Sequence, residues 1–184
     1  MSETELVKRC GKGDNLARKQ LYEQYAGQLL TICVRYVSDA DAAKDVLHDA
    51  FLKIFRSIDK FAYRGEGSLK AWLVRIVINE SLGYLRSQSS FVICETLVEE
   101  MIGMEEANEQ DSLEEIPQSV LMQFIRELPL GYRTVFNLYV FEEKTHKEIA
   151  EMLCISEHSS SSQLSRAKTL LIKKVNHFRK QMRL

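Results

Sequence analysis

Two aspartates and a histidine lie at a spacing that could bind a metal ion. Asp45, His48 and Asp49 occupy positions i, i+3 and i+4 of a predicted helix, which places them on one face. An acid-x-x-His pair of this kind occurs in di-iron helical bundles, but the matching pair on a second helix is absent. A metal site, a solvated face and a protein-docking face therefore remain as interpretations.

Two neighbours of this triplet favour docking. Asp41 and Leu52 share the same helical face, so a leucine lies among acids on a side that the core does not need. An acidic patch with one apolar side chain suits a basic partner helix. We therefore predict a protein-docking surface made of Asp41, Asp45, His48, Asp49 and Leu52.

A glycine-containing segment, residues 61–68, carries Tyr63 and Arg64 and is predicted to be a loop that stacks on an unstacked nucleic-acid base. The next helix, from Ser68 to about Ser87, extends this surface. Its contributions are Lys70, Trp72, Arg75, Asn79 and Arg86. The alternative is an ordinary solvated helix face, but an asparagine between two arginines beside an aromatic loop favours nucleic acid.

A helix-turn-helix pattern follows near the C-terminus. Residues 145–148 have the spacing of a capping box, residues 154–156 form the predicted turn, and Ser156 caps a second helix spanning about residues 156–172. The side chains predicted to face the major groove with Ser156, or to support that contact, are Glu157, His158, Ser160, Ser161, Gln163, Arg166 and Lys168. A helical hairpin without DNA is the alternative. The seven Lys or Arg residues from Leu164 onward, with no acid among them, argue against it.

Enzymatic and cofactor chemistry find little support. No phosphate-binding loop, nucleophile elbow or zinc-ligand set is present, so we predict no cofactor and no catalysis. The cysteines Cys10, Cys33, Cys94 and Cys154 form no C-x-x-C pair and are expected to be reduced and mostly buried.

The elements that must position these residues are expected to be helices. Glycine and proline together number only 10 of 184 residues, which disfavours a turn-rich β fold. Apolar residues recur at helical spacing over residues 14–37, 68–87, 118–127 and 132–139. The same spacing follows Ser38, which is the expected N-cap of a further helix. The predicted fold class is all-α.

Charge divides the chain into three parts. Residues 1–87 carry 14 basic and 11 acidic side chains. Residues 88–116 carry no basic and nine acidic side chains, and residues 117–184 carry 11 basic and six acidic side chains. The middle part is predicted to be an acidic linker between two small helical domains. It is either a solvated tether, an imitation of nucleic acid inside a basic channel, or a short docked helix. No apolar run is long enough for a membrane span, and the acidic N-terminus is unlike a signal peptide, so a cytoplasmic protein is expected.

The ordered motifs resemble the extracytoplasmic-function group of the sigma-70 family, which retains only regions 2 and 4. Residues 41–55, DAAKDVLHDAFLKIF, resemble the family's polymerase-binding helix, and residues 67–79, GSLKAWLVRIVIN, resemble its promoter-melting helix. Residues 128–136, 146–153 and 164–168 resemble region 4.

The resemblance implies a factor that binds core RNA polymerase through the β′ clamp helices and the β flap. It would recognise the minus-ten element and melt DNA with residues 1–87, and recognise the minus-thirty-five element with residues 117–184. An anti-sigma factor is implied as a further partner. The serine run at 159–162 leaves an alternative open: a polymerase-binding module or decoy that reads DNA weakly, since serine carries no charge against phosphate.

Overall fold

The computed structural model describes residues 2–88 and 116–182, and it divides the chain into two compact units, residues 1–90 and 91–184. The described part is helical and holds no strand, so the all-α prediction is confirmed. None of its helices is long and apolar enough to cross a membrane. The predicted linker, apart from residues 88 and 116, and Cys94 and Arg183 lie outside the described residues.

Residues 2–88, the described part of the first unit, form a cluster of four helices and one 3-10 turn. They are α1 (Glu3–Gly11), α2 (Asn15–Val37), α3 (Ala40–Ser57), the 3-10 turn (Ile58–Lys60) and α4 (Ser68–Ser87). Helices α2, α3 and α4 pack against one another, and α1 packs on α2 and on the 3-10 turn. The buried stripes that the apolar spacing predicts, including Leu29, Phe51 and Leu73, meet in this core.

One local prediction in the first unit needs correction, and one helix was not predicted. The carboxylate of Asp39, not the side chain of Ser38, caps α3, because it accepts hydrogen bonds from the backbone N–H groups of Asp41 and Ala42. Ser38 instead has a positive φ of 67° and forms the turn between α2 and α3. Helix α1, with Ser2 as its N-cap, is an element that the sequence reading did not include.

The second unit contains α5 (Gln118–Arg126), α6 (Leu130–Val140), α7 (His146–Leu153) and α8 (Glu157–Met182). Helix α8 continues ten residues beyond its expected end near residue 172. Its Ala167 and Leu171 pack with Ile125 and Leu128, and Phe178 meets Phe124 edge-on at a centroid distance of 6.1 Å. Helices α6 and α7 also pack on α8, and Tyr132 and Phe136 of α6 contact the same cluster.

The side chain of Arg133 joins α6 to the end of α5. Its guanidinium is buried, and Nη1 donates a 2.7 Å hydrogen bond to the backbone carbonyl of Arg126. Burial lowers the pKa of this group. The contact satisfies a carbonyl at the end of α5 that would otherwise lack a partner within the helix.

Of the three cysteines that the structure describes, two are buried as expected and one is exposed. Cys10 and Cys33 are fully buried, and burial raises the pKa of the Cys33 thiol to about 11. Cys154 is exposed and occupies the left-handed position that ends α7.

Candidate functional site

The acidic face predicted on α3 is on the surface. Asp41, Asp45, His48 and Asp49 are exposed, and Leu52 is 42% exposed among them. An ion pair of 2.8 Å with Lys44 lowers the pKa of the Asp41 carboxyl. In residues 2–88 and 116–182, no group of three or more His, Cys, Asp or Glu side chains is arranged to hold a metal ion. The geometry therefore supports docking and gives no support to the metal interpretation.

A cleft between α3 and α4 adjoins this face. Asp45 and Asp49 line it from α3, and Glu80, Gly83 and Tyr84 line it from α4, around a volume of about 330 Å³. Lys53 forms a 2.5 Å ion pair with Glu80, whereas Asp45 and Asp49 form no ion pair with the residues that the structure describes. The docking face thus continues from α3 towards α4.

The aromatic loop is built on α4. Phe61 packs against Trp72 with a ring-centroid distance of 5.2 Å, and Trp72 is partly buried. The Ser68 hydroxyl donates a 2.6 Å hydrogen bond to the carbonyl of Gly65, which folds the loop back onto the first turn of α4. Gly65 and Gly67 have positive φ values of 113° and 80°, a conformation that side-chain-bearing residues rarely adopt.

This arrangement leaves the predicted nucleic-acid side chains accessible. Tyr63 is 43% exposed, and Arg64 beside it is exposed. Along α4, Lys70, Arg75, Asn79 and Arg86 are exposed as well. A stacking ring, a guanidinium and one helix side with Arg75, Asn79 and Arg86 therefore lie on one continuous stretch of chain, which suits a single strand of DNA.

The helix-turn-helix forms as predicted at its caps. The hydroxyl of Thr145 accepts a hydrogen bond from the N–H of Glu148, and the Glu148 carboxylate accepts one from the N–H of Thr145, which completes the capping box. At the start of α8 the Ser156 hydroxyl accepts a 2.9 Å bond from the N–H of Ser159. Each of the two helices therefore begins at a side-chain cap.

Two residues predicted to face the major groove do not. Ser160 is fully buried and lies 2.9 Å from Nδ1 of His146, and Gln163 is 6% exposed and donates to the hydroxyl of Ser159. The prediction was wrong because four consecutive serines have no apolar periodicity to mark the inner face. Small hydroxyl side chains pack there against α7 and satisfy their hydrogen bonds locally.

The outward face of α8 consists of other positions. His158, Ser161 and Lys168 are exposed as predicted, with Ser156 at the helix start, whereas Arg166 is partly buried and donates to the Tyr132 hydroxyl at 3.4 Å. Ser165, which sequence reasoning did not include, is exposed on the same stripe. Its spacing of four residues from Ser161 could have identified it.

An aromatic cluster supports the start of this face. The ring of Tyr139 stacks on that of His146 at 4.9 Å, and Nζ of Lys168 lies 5.8 Å from the Tyr139 centroid. Tyr139 was expected to pack inward and is instead 39% exposed. Further along α8, Lys174 is held by Glu127 at 2.6 Å, and Lys173 and Lys180 remain exposed.

Comparison with known proteins assigns the two units to successive regions of one family. Residues 21–91 match the family model described as sigma-70 region 2, and residues 118–171 match that described as sigma-70, region 4. The chain belongs to the sigma-70 family, in its extracytoplasmic-function group.

Curated relatives match nearly end to end. The RNA polymerase sigma-H factor of Pseudomonas aeruginosa is 29% identical over 180 residues, which is 93% of this chain and 92% of the relative. The ECF RNA polymerase sigma-E factor of Haemophilus influenzae is 27% identical over 184 residues, 95% of this chain and 96% of the relative. A sigma factor of Bartonella quintana, solved in complex with an anti-sigma factor, shares the fold with a TM-score of 0.51 and 20% identity. That match covers 86% of this chain and 96% of the other.

Proposed function

We propose that the two units carry separate parts of one task, the direction of RNA polymerase to promoters. The chain is a sigma factor that acts at transcription initiation. In the proposed division, residues 1–87 bind core polymerase and open the minus-ten element, residues 117–184 bind the minus-thirty-five element, and the acidic segment 88–116 connects them. The factor has no catalytic activity of its own and works in the cytoplasm, where polymerase and DNA are found.

The observation that carries this proposal is the exposure of two unlike surfaces in the first unit. The acidic face of α3, with Leu52 among Asp41, Asp45 and Asp49, offers a docking site for a basic partner helix such as the β′ clamp helices. The loop with Tyr63 and Arg64 offers stacking to a base of the opened strand.

In the second unit, the stripe of His158, Ser161, Ser165 and Lys168 would enter the major groove. Ser160 and Gln163 would hold that helix on α7 and would not contact DNA directly. The β flap and an anti-sigma factor are further proposed partners. The sigma factor of Bartonella quintana is a relative in fold that was solved with an anti-sigma factor.

Docking can be tested by substitutions that leave the core of the protein intact. Asp45→Ala and Leu52→Ala should each weaken binding to core polymerase by about tenfold, because central side chains of a docking face contribute on the order of 1–2 kcal/mol. Lys19→Ala, at an exposed position of α2, is the matched control. Unchanged affinity of both α3 variants would reject the docking face.

Promoter opening requires a second experiment. The Arg75→Ala, Asn79→Ala double variant should bind core polymerase normally but produce less permanganate-reactive thymine at the start site than the parent. Equal reactivity would contradict the role of α4 in melting. Stable core binding by the parent protein with no promoter opening at any site would support a decoy instead.

A further inference from the structure

Helix α1 carries none of the side chains to which the proposed function gives a role, yet it packs on the 3-10 turn that precedes the aromatic loop. A Cβ atom added to Gly11, the last residue of α1, would lie 3.5 Å from the Cα of Asp59 in the 3-10 turn. Leu6 and Cys10 of α1 and Ile58 of the turn are buried, so this junction is a packed part of the first unit. The turn ends at Lys60 and leads directly into the loop that begins at Phe61.

Apart from Lys70 on α4, the lysines of the described part of this unit fall into two groups. Lys19, Lys44 and Lys53 each form an ion pair with a carboxylate. Lys8, Lys12 and Lys60 are exposed and form no ion pair with residues 2–88. These three, which we name the α1 patch, lie on α1, at its C-cap and on the 3-10 turn.

The α1 patch and the loop together form a basic border. Arg64 and Lys70 on the other side of Lys60 are also exposed and unpaired within residues 2–88. Asp59 and Glu66 are the exposed acids of the same stretch. From Asp59 to Lys70, three basic side chains therefore accompany two acidic ones, and α1, which packs on the 3-10 turn, adds Lys8 and Lys12.

We propose that the α1 patch binds backbone phosphates of the promoter strand whose base enters the loop. The proposal rests on the proposed function, since the loop must engage that strand. Lysines that have no carboxylate partner can neutralise phosphates and release their counterions, and such contacts position the strand without reading its sequence. Helix α1 would thus be a nucleic-acid-binding element of the factor.

The test measures the salt dependence of promoter binding by the complex with core polymerase, on fork DNA that carries the unpaired strand. In the variant Lys8→Ser, Lys12→Ser, Lys60→Ser, the magnitude of the negative slope of log K against log salt should decrease by about 2, because each single-strand phosphate contact contributes about 0.7. Each single variant should lower it by about 0.7. Lys19→Ser, at a lysine paired with Glu23, should leave the slope unchanged, and Asp59→Asn should tighten binding.

Neutral methylphosphonate groups placed singly along the strand locate the contact. At the phosphates that the patch binds, substitution should weaken the parent complex but have no effect on the triple variant. An unchanged slope in the triple variant, or equal methylphosphonate effects in both proteins, would overturn the proposal. Failure of the proposed function would look different: the parent complex would not bind fork DNA at all, and the role of α1 would fall with it.

Discussion

At the scale of single residues, two turns of the second unit place residues other than glycine in the left-handed backbone conformation. Glu143 and Cys154 have φ values of 52° and 56°, and Cys154 is the residue that ends α7. Their Cβ atoms crowd the backbone in this conformation, whereas glycine would not. The sequence does not show that these two residues adopt a left-handed conformation, because only the backbone angles reveal it.

Cys154→Gly should therefore stabilise the second unit. Relief of the left-handed strain is worth about 1–2 kcal/mol and is partly offset by the greater chain entropy of glycine in the unfolded state, so a gain of about 0.5–1 kcal/mol is expected. Thermal unfolding should rise by several degrees, and Cys154→Ser, which keeps the Cβ atom, should not change it by as much. A lower melting temperature for the glycine variant would show that the thiol contributes packing that its exposure does not indicate.

Neighbouring serines of α8 should behave in opposite ways. Ser160→Ala removes the partner of Nδ1 of His146 at a fully buried site and should cost about 1 kcal/mol of stability with little direct effect on DNA contact. Ser161→Ala, at an exposed site, should leave stability unchanged and weaken binding to the upstream element. Denaturant unfolding and promoter binding of both variants separate the roles, and the reverse pattern would mean that α8 is rotated from the orientation described.

At the scale of elements, sequence periodicity predicted the long helices well and the polar ones less well. Helices α2 and α4 have apolar residues at three- and four-residue spacing, so their existence and ends could be predicted. The inward face of α8 near Ser159 is polar, and only packing against α7 reveals it. The start of α3 was misplaced by one residue because Ser38 and Asp39 are both good caps and only their backbone angles distinguish them.

The capping box of α7 should give the second unit a dependence on acid pH. Hydrogen bonds from the N–H and hydroxyl of Thr145, and then from Lys144, lower the pKa of the Glu148 carboxyl. A lowered pKa in the folded state means that this stabilisation is present above the ordinary glutamate pKa and is lost as the pH falls through the lowered value.

Glu148→Gln keeps a similar shape but does not titrate. The difference in melting temperature between neutral pH and a pH below the glutamate range should therefore be smaller in this variant than in the parent. Glu151→Gln, at an exposed site on the same helix, is the control and should retain the parent difference. An equal difference in all three proteins would exclude Glu148 as a contributor to the acid transition.

At the scale of the whole molecule, the order of motifs and the charge of each part carried more information than any single residue. Two ordered sets of helical motifs with an acidic stretch between them indicated the class of protein. The matches to sigma-70 region 2 and region 4 support that class. The side-chain exposure within each unit, such as that of Leu52 and Tyr63, required the structure. Packing decides which of several polar residues on one helix remain accessible, and the sequence pattern alone does not contain it.

The central claim is that this chain directs polymerase to promoters, and run-off transcription tests it most directly. Purified core polymerase of the same bacterium would transcribe fragmented genomic DNA with and without the protein, and the new start sites would be mapped. We expect new starts that share an upstream and a downstream element, and their loss in the Arg75→Ala, Asn79→Ala variant. No new starts, although the protein binds core polymerase stably, would contradict the claim.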